Sequence, residues 1–379
     1  MNKRKLYATR AAKLSCFMLA LVLTLGVLQD FLLRRLDQNG LRLQGFYMED
    51  KDSLDVVFLG ASEVYSGFSS GLAYEKFGFT SYPYASQSIT ADGMLLGLKE
   101  ILRTQKPQLI VVEINSFLYG SDENESNDAY IRKLVDNVPL TKNKIDYISD
   151  KVSPELQPEY YLPLIKYHDT WIDLPNSMMH AASKLQQDLR GRSILKGFRT
   201  TTQIFEPDEK PIDVKDDAET MKLNPVLEKK YRAFLSFCRE KKLNVLLLRM
   251  PHIVYKNTHN RARRCNRAAE IGKEYGYELV NLERGMTQAD IDINSDFYNF
   301  DHLNVYGARK VTDHLGRLLT EKYGVRGREL TSEQKQHWDT TANYCQRLFR
   351  YCDFLIKNNE GIQVEENINT ISKLEEYYR

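Results

Sequence analysis

Short apolar runs rich in β-branched residues, alternating with amphipathic helical stretches, predict an α/β protein built on a parallel sheet with helices on both faces. A hydrophobic run behind a basic N-terminus adds one transmembrane helix. A polar, helix-bearing insertion at about residues 121–225 and a helical tail from residue 331 complete the plan. At 379 residues, 42% hydrophobic and 11% aromatic, the chain is large enough for one such domain with additions.

From Leu14 to Leu33 the chain is uncharged until Asp30, about the 20 residues needed to cross a hydrocarbon core. Lys3, Arg4, Lys5, Arg10 and Lys13 precede it, which favours a cytoplasmic N-terminus and a body outside. A cleaved signal peptide is the rival reading, because Cys16–Leu28 has the length of such a core, but no small-x-small cleavage site follows. Residues 1–35 are thus expected to be tail and anchor, and residues 36–53 a polar connector. The α/β domain then spans 54–330. Its first strand is read at Leu54–Leu59, running into Gly60, the second at Leu109–Ile114, the third at Val245–Met250 and a short fourth at Glu278–Leu282. Helices are read at Met94–Arg103, Leu227–Lys241, Arg261–Tyr275 and Ala308–Tyr323. The insertion is expected over the strand ends, with peripheral decoration as the alternative. In the tail, 331–379, Trp338, Cys345, Leu348, Cys352 and Leu355 recur at helical spacing behind the cap candidates Thr331 and Ser332.

Charge excludes one class of function. The net charge of +2 is uneven: residues 1–35 carry +6, so residues 36–379 carry −4. A mildly acidic body has no excess of Lys and Arg for phosphates, so no nucleic acid is expected as partner. The five cysteines form no dense framework. Cys345 with Cys352, or Cys238 with Cys265, are possible pairs in an oxidising compartment, and buried thiols are the alternative. No metal signature is present.

Two places carry chemistry. Ser62 lies two residues beyond the first strand, in Gly60-Ala61-Ser62-Glu63, where a strand-to-helix turn can hold a nucleophile beside free backbone N–H groups. A helix N-cap serine is the plain alternative. His302 lies in a polar loop leading into the last helix of the domain, through Asp296 and Asn299-Phe300-Asp301-His302-Leu303-Asn304, with Gly307 following. A serine needs such a base, and the base needs an orienting group. His252, after the third strand, is a second candidate base or a lining residue, and His168 in the insertion is expected to be structural or substrate-facing.

Gly60-Ala61-Ser62 resembles the first conserved block of the SGNH/GDSL hydrolases, and Asp301-His302-Leu303-Asn304 with Gly307 resembles their last. The resemblance implies the three-layer arrangement shared with flavodoxin-like folds, with Ser62 as nucleophile and His302 as base. The family's oxyanion glycine falls near Ala85, which keeps the N–H donor, and its asparagine has Asn115 as nearest counterpart. The orienting aspartate usually precedes the histidine by three residues, where this chain has Asn299. Asp301, then Asp296, are the expected substitutes, with Asn299 or a Ser–His dyad next. Tyr161–His168 and Lys196–Phe198 are similar to segments of membrane-anchored bacterial members associated with membrane-bound O-acyltransferases. This implies a cell-envelope polysaccharide or teichoic-acid-like polymer as substrate, such an acyltransferase as partner, and no cofactor. Two other readings stay open: a non-catalytic scaffold of the same fold, and a flavodoxin-like ligand binder, although no Gly-rich phosphate loop follows any strand.

Overall fold

The computed structural model describes residues 3–28, 38–121, 123–167, 170–365 and 368–378. His168 and residues 29–33 of the expected anchor lie outside them. The strands, in chain order, are β1 (Val56–Gly60), β2 (Ser81–Ala85), β3 (Leu109–Glu113), β4 (Thr200–Thr201), β5 (Val245–Arg249), β6 (Leu279–Asn281), β7 (Phe297–Asn299), β8 (His302–Leu303) and β9 (Gln363–Val364). Five of them form one sheet in the order β2-β1-β3-β5-β6. Every pairing in it is parallel.

Four of these five strands are where the apolar runs place them. β2 is the addition. Its sequence, Ser-Tyr-Pro-Tyr-Ala, carries Pro83, which cannot donate to a ladder and argues against a central strand. The sheet resolves the conflict by putting β2 at an edge, where β1 is its one strand neighbour among the described residues.

Strand alternation divides the core in two. Val57, Leu59, Ile110, Val112, Val245 and Leu247 face one apolar cluster, which takes in Met94, Leu98 and Ile101 of the helix Ala91–Thr104 and Phe234 of the helix Pro225–Glu240. Val56, Phe58, Leu109, Val111, Leu246 and Leu248 face the other, with Val311, Leu315 and Leu319 of the helix Val305–Glu321. Both faces of the sheet are therefore dry, as parallel sheets require.

Two expectations need correction. The connector is not a polar linker: Gln38–Tyr47 is a helix that buries Leu41, Leu43 and Phe46, with Phe46 edge-on to Tyr82 and Tyr84 of β2. Covering the edge strand explains why these apolar residues precede the domain. Secondly, the insertion does not lie wholly over the strand ends. Ile131, Leu134, Val135, Tyr147 and Ile148 extend the side cluster around the helix Ala91–Thr104. Only its later part returns to the carboxyl edge, where Arg199 N–H donates to the Tyr65 carbonyl at 2.9 Å. Of the two readings of the cysteines, the structure shows free thiols, with the four outside the N-terminal helix buried.

The tail is part of the body. Thr331 caps the helix Ser332–Lys357 through a reciprocal capping box with Gln334, and Trp338, Cys345, Leu348, Cys352 and Leu355 are all buried. At the other end, the helix Lys3–Leu28 contains a 20-residue stretch, Tyr7–Gly26, long and apolar enough to cross a membrane and not buried against the protein.

Candidate active site

The strand order reverses between β1 and β3, since β2 lies to one side of β1 and β3 to the other. In open parallel sheets the crevice at such a switch point, at the carboxyl edge, is where ligands bind. Ser62 follows β1 there, Asn115 follows β3, His252 follows β5 and Glu283 follows β6.

Gly60 makes the turn possible. A Cβ at this position would lie 2.6 Å from Val64 Cγ2 and 2.8 Å from Glu113 Cβ, so any larger residue would push β1 away from β3. Ala61 occupies the N-cap of the helix Ser62–Gly67 and offers no side-chain acceptor. Ser62 is thus the first helical residue, not the cap. The amides of Ser62 and Glu63 open the helix, where no intrahelical carbonyl reaches them.

The serine side chain turns to His302: Ser62 Oγ lies 2.7 Å from His302 Nε2. The histidine sits on β8, which pairs antiparallel with β7 so that Asn299 lies directly across from it. Asn299 Oδ1 is 2.9 Å from His302 Nδ1 and also accepts the Asp301 N–H at 2.9 Å. With Nδ1–H donating to the amide oxygen, Nε2 is left to accept from the serine hydroxyl. Tyr298 stacks on the imidazole at 5.4 Å between ring centroids.

The loop is held from below. Asn304, fully buried, donates to the carbonyls of Gln203, Ser295 and Phe297 and accepts from the N–H groups of Tyr306 and Gly307. Gly307 lets the helix start touch the strand-side loop, because a Cβ there would collide with the Asp296 carbonyl oxygen. The glycine and asparagine of the sequence block therefore hold the loop that carries His302.

Neither expected aspartate orients the ring. Asp301 stands at the tip of the β7–β8 hairpin and turns outward to Arg261 at 2.7 Å. Adjacent side chains on a tight hairpin diverge, so it cannot share the Asn299 position. Asp296 is buried and spent on Lys310 at 2.8 Å, the Asp292 N–H and Ser295 Oγ. Ala85 ends β2 in register with Gly60, and the next amide, Ser86 N–H, donates to the Gly60 carbonyl at 3.2 Å.

Beneath Ser62 lies a buried charge network of which sequence reading named Asn115 and His252 but not the charges around them. Asn115 Nδ2 donates to Glu63 Oε1, Asn115 Oδ1 accepts from Arg249 at 2.7 Å, and Asn115 N–H donates to Glu113 at 2.9 Å. Arg249 forks onto Glu283 at 2.6 and 3.1 Å. His252 gives Nδ1–H to the Met250 carbonyl at 2.7 Å, and its Nε2 faces Glu63 at 3.5 Å. It is packed away from Ser62 as a partner of Glu63 and Glu283.

The network sorts its charges. Desolvation, then the neighbouring Glu63 charge, pushes Glu113 up to about 8, so it keeps its proton at neutral pH. Burial would also raise Glu63, but the His252 hydrogen bond and the His302 and His252 charges hold it well below the usual carboxylate range. Burial likewise opposes ionisation of Glu283, and the Arg249 charge overrides it, bringing the carboxyl to about 2. His252 is raised against burial and the Arg249 charge by its contacts with Glu283 and Glu63. Two carboxylates thus face Arg249 and a histidine drawn toward its charged form, which limits the cost of burying them. His302 is lowered by burial, against the charges of Glu63 and Asp301.

A signal for this network was in the sequence. Glu113 and Arg249 close runs that are otherwise entirely apolar, and a charge at the end of a fully buried strand demands a partner. Among the described residues, no group of three or more His, Cys, Asp and Glu is arranged to hold a metal ion. No protein-family model matches the chain, and no curated protein matches it in sequence.

Proposed function

We propose that the protein is a membrane-anchored serine esterase or acyltransferase of the SGNH type, with Ser62 as nucleophile and His302 as base. The 2.7 Å contact between Ser62 Oγ and His302 Nε2, at the switch point of the sheet, carries this reading. Ser62 Oγ attacks an acyl ester carbonyl while its proton passes to His302 Nε2. The developing oxyanion is met by the opening amides of the helix Ser62–Gly67, the free ends that such a helix start presents. The proton on His302 goes to the leaving oxygen, and a second hydroxyl, deprotonated by the same histidine, attacks the acyl-enzyme. If that hydroxyl belongs to a polymer the outcome is transfer; if to water, hydrolysis.

Asn299 holds the tautomer but supplies no charge. Glu63 does: its carboxylate lies 3.5 Å from Ser62 Oγ and favours the imidazolium formed when His302 takes the proton. The resemblance extends the reading to an acyl group on a cell-envelope polysaccharide or teichoic-acid-like polymer, outside the membrane, with a membrane-bound O-acyltransferase as partner.

A second reading is favoured by the same Glu63. An ionised carboxylate beside the nucleophile opposes an oxyanion, which suits a scaffold that binds glycan or an acyltransferase without turnover. A fluorophosphonate probe on the full-length protein separates the two. Labelling that disappears in Ser62→Ala supports the enzyme, and a wild-type protein that resists the probe supports the scaffold.

A further inference from the structure

The helix Leu174–Arg190 is amphipathic in the reverse sense. Its inward face is polar: Ser183 and Gln187 are buried, and Gln187 Nε2 donates to the Leu41 carbonyl at 3.1 Å and approaches Met48 Sδ at 3.5 Å. Its outward face is apolar. Met178, Leu185 and Leu189 are 66%, 45% and 79% exposed, and Ala182 between them is exposed as well. The spacing 178, 182, 185, 189 forms one stripe along a helix, opposite Ser183 and Gln187. Ile172, just before the helix, is 73% exposed. A helix docked only on its own body would turn this stripe inward.

Position identifies what covers it. Through Gln187 the helix touches Gln38–Tyr47, the first described element after Lys3–Leu28, and it also packs on the helix Ile368–Tyr377. Ten residue steps separate Leu28 from Gln38, a reach of at most about 35 Å even fully extended. If Tyr7–Gly26 spans the bilayer, the stripe is tethered to the lipid surface, and a tether turns weak apolar contact into a persistent one. A face of Leu and Met turned away from the body is the kind of face a helix buries in the headgroup–acyl boundary.

We infer that the helix Leu174–Arg190 lies in the headgroup–acyl boundary of the membrane, Met178, Ala182, Leu185 and Leu189 facing the lipid, as a second attachment of the body. The inference rests on the reading of Tyr7–Gly26 as an anchor. The test uses the full-length chain with Cys16→Ser, reconstituted in phosphatidylethanolamine–phosphatidylglycerol vesicles and carrying an environment-sensitive nitrobenzoxadiazole label at Leu185→Cys or, as control, at Lys241→Cys. The expected result is blue-shifted emission at 185, quenched by doxyl-labelled lipid, and aqueous, unquenched emission at 241. Adding Leu189→Glu should lose the quenching at 185 while the chain stays in the vesicles through a carbonate wash. Aqueous emission at 185 in a carbonate-resistant protein overturns the lipid contact and leaves the anchor standing. Release by carbonate overturns the anchor and the inference with it. A photoreactive label at 185 that gives a discrete protein adduct in native membranes, and no lipid adduct, overturns it in favour of a protein partner.

Discussion

In the proposed mechanism, Asn299 is the residue on which the chemistry turns. Its amide oxygen orients His302 at 2.9 Å but carries no charge, while Asp301 is held by Arg261 and Asp296 by Lys310. Asp301→Asn and Asp296→Asn are therefore expected to keep acyl turnover within a few-fold of wild type, measured on a chromogenic ester. Asn299→Asp should raise it by about tenfold, since Asn299 already sets the tautomer and an aspartate adds only the nearby charge that stabilises the imidazolium. Unchanged turnover in Asn299→Asp would mean that the charge of Glu63 is sufficient by itself. Glu63 itself is tested by pH. Ser62, Tyr298 and Asn299 face His302 from its own hairpin and the helix start, and the charges of Glu63, Asp301, His252 and Arg199 act on it without contact. Burial places its pKa below the ordinary value of 6.5, so the base is neutral and competent down to mildly acid pH. Removing the Glu63 charge in Glu63→Gln lowers it further. The acid limb of the pH–rate profile should move to lower pH and the plateau should fall. Ser62→Ala and His302→Ala should each remove several orders of magnitude, because the two act as a unit.

The strands that carry the network also make a prediction about stability. Glu113 closes β3 with its carboxyl raised from 4.5 to about 8 by burial. A carboxyl raised on folding contributes stability that is complete below its unfolded value and is lost as pH climbs through the folded one. Wild type should lose stability between about pH 4.5 and pH 8 in step with this group. Glu113→Gln, which mimics the protonated form and can still accept from Asn115 N–H, should lose less over that window. Thermal melts of both proteins across the range check it, and parallel curves would show that Glu113 is ionised in the fold. β2 is the element least visible in the chain. Proline lowers strand propensity, and only the edge position in the assembled sheet makes Pro83 acceptable.

For the whole molecule, the basic N-terminal flank and the apolar stretch Tyr7–Gly26 lead to an expected topology with the body outside the cytoplasm. Protease added to intact spheroplasts should digest residues 36–379 and spare the N-terminal tail. A body protected until lysis would reverse the orientation. The acidic balance of the body is compatible with an exterior surface, and the tail's burial of Trp338 and Cys345 makes truncation at residue 331 a loss of core rather than of a loose appendage.

The sequence alone determined the class of fold, four of the five sheet strands, and the pairing of Ser62 with His302. Each is encoded locally: by alternation of apolar runs, by a Gly-Ala-Ser turn behind a strand, and by a histidine beside the last helix. Tertiary structure alone decided what surrounds that pair. Asn299 reaches His302 because β7 and β8 form a hairpin that places positions 299 and 302 opposite each other, and Asp301, one residue away, is turned instead to Arg261. Glu63, Glu113, Arg249, His252 and Glu283 come from four separate strand ends and meet only when the sheet is assembled. Their charges depend on burial and on one another, and both are properties of the packed molecule rather than of any segment of chain.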